Sequence, residues 1–255
     1  MSRTVPARAL AAAGAVVLAV AGLAACASPD EDNDPDRRSF ALPGRTLTVD
    51  SDDSALEIVA AADNAAGRID VTRWFSGSVT LGKEPEVTWR MDGDRLVLRT
   101  TCTGFIADCA ARHRIEVPRG VAVEVAEDDG SVRARGFRDP LGIRTQDGSV
   151  RVTDSTGPLD LRSDDGSVRA AVSSRRVKAE TKDGSVRLDL GAVPDRVDTR
   201  SDDGSVTVAL PRATYQVTAD TDDGSVDVSV PRDDSSAHVV NARTADGEVT
   251  VRTAN

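Results

Sequence analysis

The chain is poor in the residues from which reaction centres are usually built. Its 255 residues include four Phe, two Trp, one Tyr, two His and three Cys. His113 and His238 stand alone, with no second metal-type ligand at useful spacing, and no G-x-S-x-G nucleophile elbow occurs anywhere. Both read as surface or capping histidines. The C-x-x-C spacing of a thiol redox pair is missing, and no helical period of apolar residues follows the first 26 positions. Basic excess is absent too. Against 42 acidic residues there are 32 Lys and Arg; the first 25 positions hold two of those arginines and no acid, so the rest carries 30 against 42, a net charge of −12. That balance argues against nucleic acid or anionic lipid as a general partner.

What the sequence has instead is repetition. The tetrapeptide D-G-S-V places glycine at 130, 148, 166, 184, 204 and 224, and a D-G-E-V copy places it at 247, in steps of 18, 18, 18, 20, 20 and 23 residues. Such a period marks stacked repeats. Alignment on the glycine puts Val132, Val150, Val168, Val186, Val206, Val226 and Val249 in one column. Ala134, Val152, Ala170, Leu188, Val208, Val228 and Val251 form a second, two residues on. Alternation of this kind is a strand with one buried face. Upstream of each glycine lies a second strand, as in Leu141–Thr145, Leu159–Ser163, Val177–Thr181 and Val197–Ser201. Two five-residue strands and two turns fill the period. The expected fold is all-β: a two-sheet parallel β-solenoid with coils of about 18–20 residues and equivalent strands about 4.8 Å apart.

D-G-S-V reads first as a tight turn, with Gly free to take positive φ and Asp or Ser capping through its side chain. The rival is a calcium ladder, since Asp128–Asp129, Asp164–Asp165, Asp202–Asp203 and Asp222–Asp223 stack along one edge. Against it, Gln146 and Lys182 interrupt the double row, and the nine-residue calcium-roll repeat does not occur. No cofactor is expected. The outward column Arg144, Arg162, Glu180, Arg200, Asp220, Arg243 mixes signs, which helps set register. A second outward column, Arg133, Arg151, Arg169 and Arg187, is all positive. It is either a solvated face neutralised by neighbouring acids or a stripe for an extended polyanion such as a cell-wall polymer.

The ends carry different signals. Residues 1–25 form a processing segment: Arg3 and Arg8, then an apolar run from Ala9 to Leu23, too short to span a bilayer comfortably. The run closes on Leu23-Ala24-Ala25-Cys26, which resembles the bacterial lipobox, in which the cysteine is acylated. This resemblance implies lipidation at Cys26, a partner in the membrane itself, and a location on its extracytoplasmic face. Residues 26–40 are acidic and contain prolines, the composition of a disordered tether. Residues 41–120 are strand-rich without the strict period and hold most of the aromatics, as expected of an irregular cap ahead of the solenoid at 121–255. Cys102 and Cys109 frame a short loop in an oxidising compartment, so a structural disulfide is expected. At the C-terminus the chain stops just after a strand, leaving an edge that charge or self-association must manage.

With the repeats aligned, the stretch from Leu47 to Thr253 resembles a bacterial "putative adhesin" family of unknown function, built of β-repeats with D-G-S-V or S-G-D-V turns. Arg114–Gly136, "RIEVPRGVAVEVAEDDGSVRARG", carries the likeness most clearly. The resemblance implies a surface module without established catalytic residues. The expected function is therefore a non-catalytic, adhesin-like binding or scaffold lipoprotein that contacts a wall polymer or an envelope protein. The alternative is an envelope-stress accessory regulating a membrane partner. A carbohydrate-cleaving β-helix enzyme is more remote, because the acids recur in every coil rather than gathering at one place.

Overall fold

The computed structural model describes residues 28–29, 32–61 and 66–254. The 1–25 segment and Cys26 lie outside the described residues. Among those described there is no α-helix, and the strands run in chain order through the whole length. The first seven are β1 (Asp36–Ala41), β2 (Thr46–Ser51), β3 (Ser54–Ala61), β4 (Arg68–Gly82), β5 (Glu86–Asp92), β6 (Arg95–Thr101) and β7 (Gly104–Pro118). Five short pairs follow: β8 (Ala122–Glu127) and β9 (Val132–Arg135), β10 (Leu141–Thr145) and β11 (Val150–Thr153), β12 (Leu159–Ser163) and β13 (Val168–Val172), β14 (Arg176–Thr181) and β15 (Val186–Leu190), β16 (Arg196–Arg200) and β17 (Val206–Leu210). Two long strands, β18 (Gln216–Val228) and β19 (Val239–Thr253), end the chain.

Each pair is one rung. Even-numbered strands stack in parallel as β8, β10, β12, β14 and β16, and odd-numbered ones as β9, β11, β13, β15 and β17. Val150, Val168 and Val186 are direct register partners, as the period requires. The inward residues of the two stacks meet in one continuous core of Val, Leu, Ile and Ala, with Val132, Ile143, Val152, Leu161, Val168, Leu188 and Val206 all inaccessible to solvent. The two-sheet solenoid is thus the observed fold. Aliphatic side chains suit so thin a core: β-branched residues hold one preferred χ1 on a pleated surface, and rings would force the sheets apart.

Both ends depart from simple succession. β2 pairs with β8 on one side and β6 on the other, while β3 lies between β9 and β7. Part of the segment expected to be an irregular cap therefore belongs to the stack, which begins at Thr46 rather than near 121. Leu47 and Val49, Leu56 and Ile58 maintain the period-two alternation without the glycine signature. The cap proper is smaller. β5 folds back on β6 through the Gly93–Asp94 turn, and β1 and β4 add antiparallel strands beside β7. Because β1 starts at Asp36, the expected tether is structured over its last five residues. The alternating side chains of Arg38 and Phe40 reach Trp89, which explains why an acidic segment is held.

At the opposite end the order in space also inverts the order in sequence. β19 lies between β16/β17 and β18, so the last strand of the chain is internal and β18 is the edge. The expectation that the terminal "VTVRT" forms the edge is corrected accordingly. Arg243 now adjoins Arg200 on one side and Asp220 on the other. The β18 edge bears Asp220, Asp222, Asp223 and Asp227, four like charges that would oppose pairing with a second copy.

Candidate functional site

The glycine column shows why the motif is invariant within the chain. A Cβ on Gly148, Gly166, Gly184, Gly204 or Gly247 would fall under 3.0 Å from the glycine carbonyl one rung earlier, and one on Gly224 would strike Gly247. Positive φ, the sequence-based reason for glycine, holds at Gly204, Gly247 and Gly224, but close rung-to-rung approach holds at all of them. The carbonyls so exposed do not go unpaired. Ser163 donates its hydroxyl to Gly148 O at 2.8 Å, Thr181 to Gly166 O at 2.9 Å, Ser201 to Gly184 O at 2.7 Å and Thr244 to Gly204 O at 2.7 Å. A ladder of buried hydroxyls thus fastens each turn to the next, satisfying acceptors that burial would otherwise leave costly. The fifth residue of each upstream strand was legible as an inward Thr or Ser, but its acceptor was not.

One rung breaks this ladder. Where the others hold Ser or Thr, β8 holds Glu127, buried, with Oε1 accepting from Ser54 N at 3.1 Å and Oε2 without a partner. Burial pushes its carboxyl up to about 7, and the nearby Ser51 hydroxyl and the Ser54 N–H only partly offset that. The outer aspartate row is also tied together. Asp147 is held above the ordinary aspartate range by hydrogen bonds to Asp165 and Asp129, and Asp183 by Asp165 and Asp203. In the neighbouring row the residues that interrupt the carboxylates turn out to be their partners: Gln146 donates to Asp128 at 2.8 Å, and Lys182 pairs with Asp164 at 2.7 Å. Among the described residues no three His, Cys, Asp or Glu side chains converge to hold a metal ion.

The two outward faces differ in charge. On the even-strand face most neighbours cancel: Arg162 meets Asp160 and Glu180 at 3.1 Å, Lys178 meets Glu180 at 3.0 Å, and Arg196 meets Asp198 at 2.6 Å, while Arg144–Arg162, Arg176–Arg196 and Arg200–Arg243 are isolated like-charged register pairs. On the odd-strand face Arg133, Arg151, Arg169 and Arg187 are successive register partners and all exposed. Glu57 adjoins the row at one end but is engaged by Arg114 at 3.0 Å and Arg135 at 3.8 Å. Only Arg187 has an acid, Asp189 at 3.2 Å. Arg133, Arg151 and Arg169 have no carboxylate within salt-bridge distance among the described residues. The neighbouring acids that would have neutralised the row are therefore not in contact with most of it. Shallow clefts of about 150–160 Å³ lie between these arginines, and Ser131, Ser149 and Ser167 border one of them.

The remaining expected residues are placed as follows. Cys102 and Cys109 are joined in a disulfide, with Cα atoms 6.2 Å apart. His113 is not at the surface: it is fully buried under Trp89, ring centroids 6.3 Å apart, and neither nitrogen has a hydrogen-bond partner. Burial, with nearby Arg73, lowers its pKa to about 3, so the ring is neutral. His238 is half-buried in the last turn, its Nδ1 2.8 Å from Pro194 O, beside the buried Tyr215. Trp89 serves packing rather than a groove. It closes the core against Phe40, and Arg38 and Arg73 stack on it at 5.0 and 4.8 Å.

What this arrangement repeats is a surface, and the class it defines is the all-β stacked-repeat module. The Toastrack DUF4097 family model matches residues 119–255, more than half of the chain, and the chain belongs to that family. No curated protein matches it in sequence. A solved "putative adhesin" from Bacteroides fragilis shares the fold, with 14% identity, a TM-score of 0.54 and coverage of 87% of this chain and 98% of that one. A "putative cell adhesion protein" from Clostridium sporogenes aligns at 12% identity over 87% of this chain and all of that one, with a TM-score of 0.35.

Proposed function

We propose that the protein is a non-catalytic, adhesin-like binding module of the bacterial cell envelope, anchored by lipid at Cys26 on the extracytoplasmic face of the membrane. Its contact surface is the arginine row of the odd-strand face, and its ligand an extended polyanion such as a wall polymer. The observation that carries this reading is the contrast between faces. Stacked like charges about 4.8 Å apart repel by roughly 1 kcal/mol per pair even in water-like dielectric. On the even-strand face opposite signs mostly adjoin and like-charged arginines meet only in isolated pairs, Arg144–Arg162, Arg176–Arg196 and Arg200–Arg243, whereas the odd-strand face keeps three successive arginines without acids. A linear ligand with regularly spaced negative charges would relieve the repulsion along the stack. The lipobox-like ending at Cys26, the family and the adhesin-like fold neighbours support the envelope setting.

The test is sedimentation of the chain from Cys26 onward with purified wall fragments and with inorganic polyphosphate. Arg151→Glu with Arg169→Glu should weaken binding at least tenfold and flatten its dependence on salt. Unchanged binding in the double variant would remove the arginine row from the function.

A further inference from the structure

The partners of β4 and β7 run out before the strands do. β3 accompanies β7 only from Ala111 to Pro118, and β1 accompanies β4 only from Arg68 to Arg73. Beyond them, Gly77–Gly82 and Gly104–Cys109 pair with each other alone as a two-stranded ribbon. Its end is apolar. Leu81 and Phe105 are each 83% exposed and Ile106 62%, three of the four large hydrophobic side chains exposed among the described residues. The ribbon is braced rather than loose. The Cys102–Cys109 disulfide ties its base, Lys83 N donates to Thr103 O at 3.1 Å, and Gly82 packs so tightly that a Cβ would strike Thr103 and Gly104. A stiff mount that presents Phe, Ile and Leu to solvent is costly unless something covers them.

The start of the described chain indicates what does. Asp32 accepts a hydrogen bond from Phe75 N at the root of the ribbon, so the N-terminal segment runs alongside β4. Pro29 lines the same concavity as Cys102, Ala107, Asp108 and Cys109. Cys26 is three residues earlier, hence at most about 11 Å from Pro29 along the chain. The described chain therefore begins against the ribbon that carries the exposed apolar cluster, a short covalent link from the residue that resembles an acylation site.

We propose that Leu81, Phe105 and Ile106 enter the lipid surface beside the anchor, forming a second, non-covalent membrane contact that fixes how the solenoid stands on the bilayer. This rests on the anchoring of Cys26 proposed above. Acyl chains alone would leave the stack free to swivel on its tether. A rigid apolar contact a short distance away gives two points of attachment, and the link makes the second event effectively intramolecular. With Glu84, Glu86 and Asp108 outnumbering Lys83 near the ribbon end and a net negative chain, the favoured surface is zwitterionic rather than anionic lipid.

The experiment uses the chain from Cys26 onward, which contains every strand, coupled through the Cys26 thiol to a maleimide phospholipid in phosphatidylcholine vesicles. Phe105→Trp serves as reporter, its emission taken as the difference from the parent protein. That emission should shift to the blue and lose at least half its intensity when the acyl chains carry bromine. Adding Leu81→Ser with Ile106→Ser should restore most of it. Equal emission in brominated and plain vesicles, or quenching unaffected by the two serines, would overturn the proposal. Mass spectrometry of the N-terminal peptide from cells tests acylation separately: an unmodified Cys26 removes the natural anchor without altering the vesicle result.

Discussion

The regular stack from β8 to β17 and the end built by β1–β7 bury their apolar residues by different means. In the stack every rung is covered by near-copies of itself, so aliphatic columns, a glycine column and a hydroxyl column suffice within the strands, and the one buried ring, Phe137, lies in the connection between β9 and β10. At the N-terminal end there is no further copy to cover the last rung. There the chain turns antiparallel, lays β1, β4 and β5 over the opening, and brings Phe40 and Trp89 together across it at 6.2 Å between centroids. Self-complementary surfaces propagate cheaply but cannot terminate themselves, and termination takes large, non-repeating side chains. The C-terminal end takes a third course: β19 is tucked inside and an acid-bearing β18 is left outermost.

Five substitutions would break or sharpen this contrast. The largest effect should come from Gly166→Ala, whose added methyl meets the backbone of Gly148 rather than a movable side chain. Two rungs would have to part, and a loss of at least about 4 kcal/mol in denaturant unfolding is expected. Gly120→Ala, at φ +82° but with open space around the Cβ position, should lose only about 1–2 kcal/mol from backbone strain. Similar losses at the two sites would show that rung contact is not what demands glycine.

Next come two buried ionisable groups, one in each region. His113 under the cap has its pKa lowered from 6.5 to about 3, so its contribution is fully present above 6.5 and is lost as pH falls toward 3. His113→Leu should therefore gain on the parent protein in acid, by about 3 kcal/mol at pH 4, with little difference at pH 8. Glu127, where the hydroxyl ladder is interrupted, works in the opposite direction. Its pKa is raised from 4.5 to about 7, so the folded state is favoured below 4.5 and loses stability as pH climbs to 7. Glu127→Gln should match the parent protein at pH 4.5 and exceed it by about 3 kcal/mol at pH 8. Parallel stability curves for parent and variant across either range would contradict the burial argument for that residue.

The smallest effect is expected of Thr181→Val, which keeps the shape but removes the donor to Gly166 O. A loss of about 1–2 kcal/mol by thermal melting would give the worth of one step in the ladder. No measurable loss would mean that the glycine carbonyls find another donor.

The stack was legible because its information is local and repeated. Period-two alternation in Leu159-Asp160-Leu161-Arg162-Ser163, a glycine, and a second alternating run define a rung within one 18-residue window, and stacking adds only translation. The rung made by β2 and β3 was harder to see. Asp52-Asp53-Ser54-Ala55-Leu56 occupies the turn position of D-D-G-S-V with serine where glycine stands elsewhere, and its partners are 57–76 residues downstream. His113 was legible in part, because the alternation Ala111-Arg112-His113-Arg114-Ile115-Glu116-Val117 puts it on the inward face, whereas the Trp89 that covers it comes from a strand with no sequence relation to that run. The unneutralised state of Arg151 and Arg169 was equally hidden. Whether an acid lies within reach depends on side chains from rungs 18 residues away.

The amino-acid order alone determined the strand, the turn and the rung, because each depends on residues within one window of about 18 positions and on steric rules that hold in any context. Tertiary structure decided which rung lies beside which at the two ends, where β2/β3 and β19 are inserted between strands remote from them in the chain. It also decided which charges remain unpaired and which apolar residues remain uncovered. Those outcomes depend on the distance between elements that no periodicity relates, and only the folded chain brings such elements together.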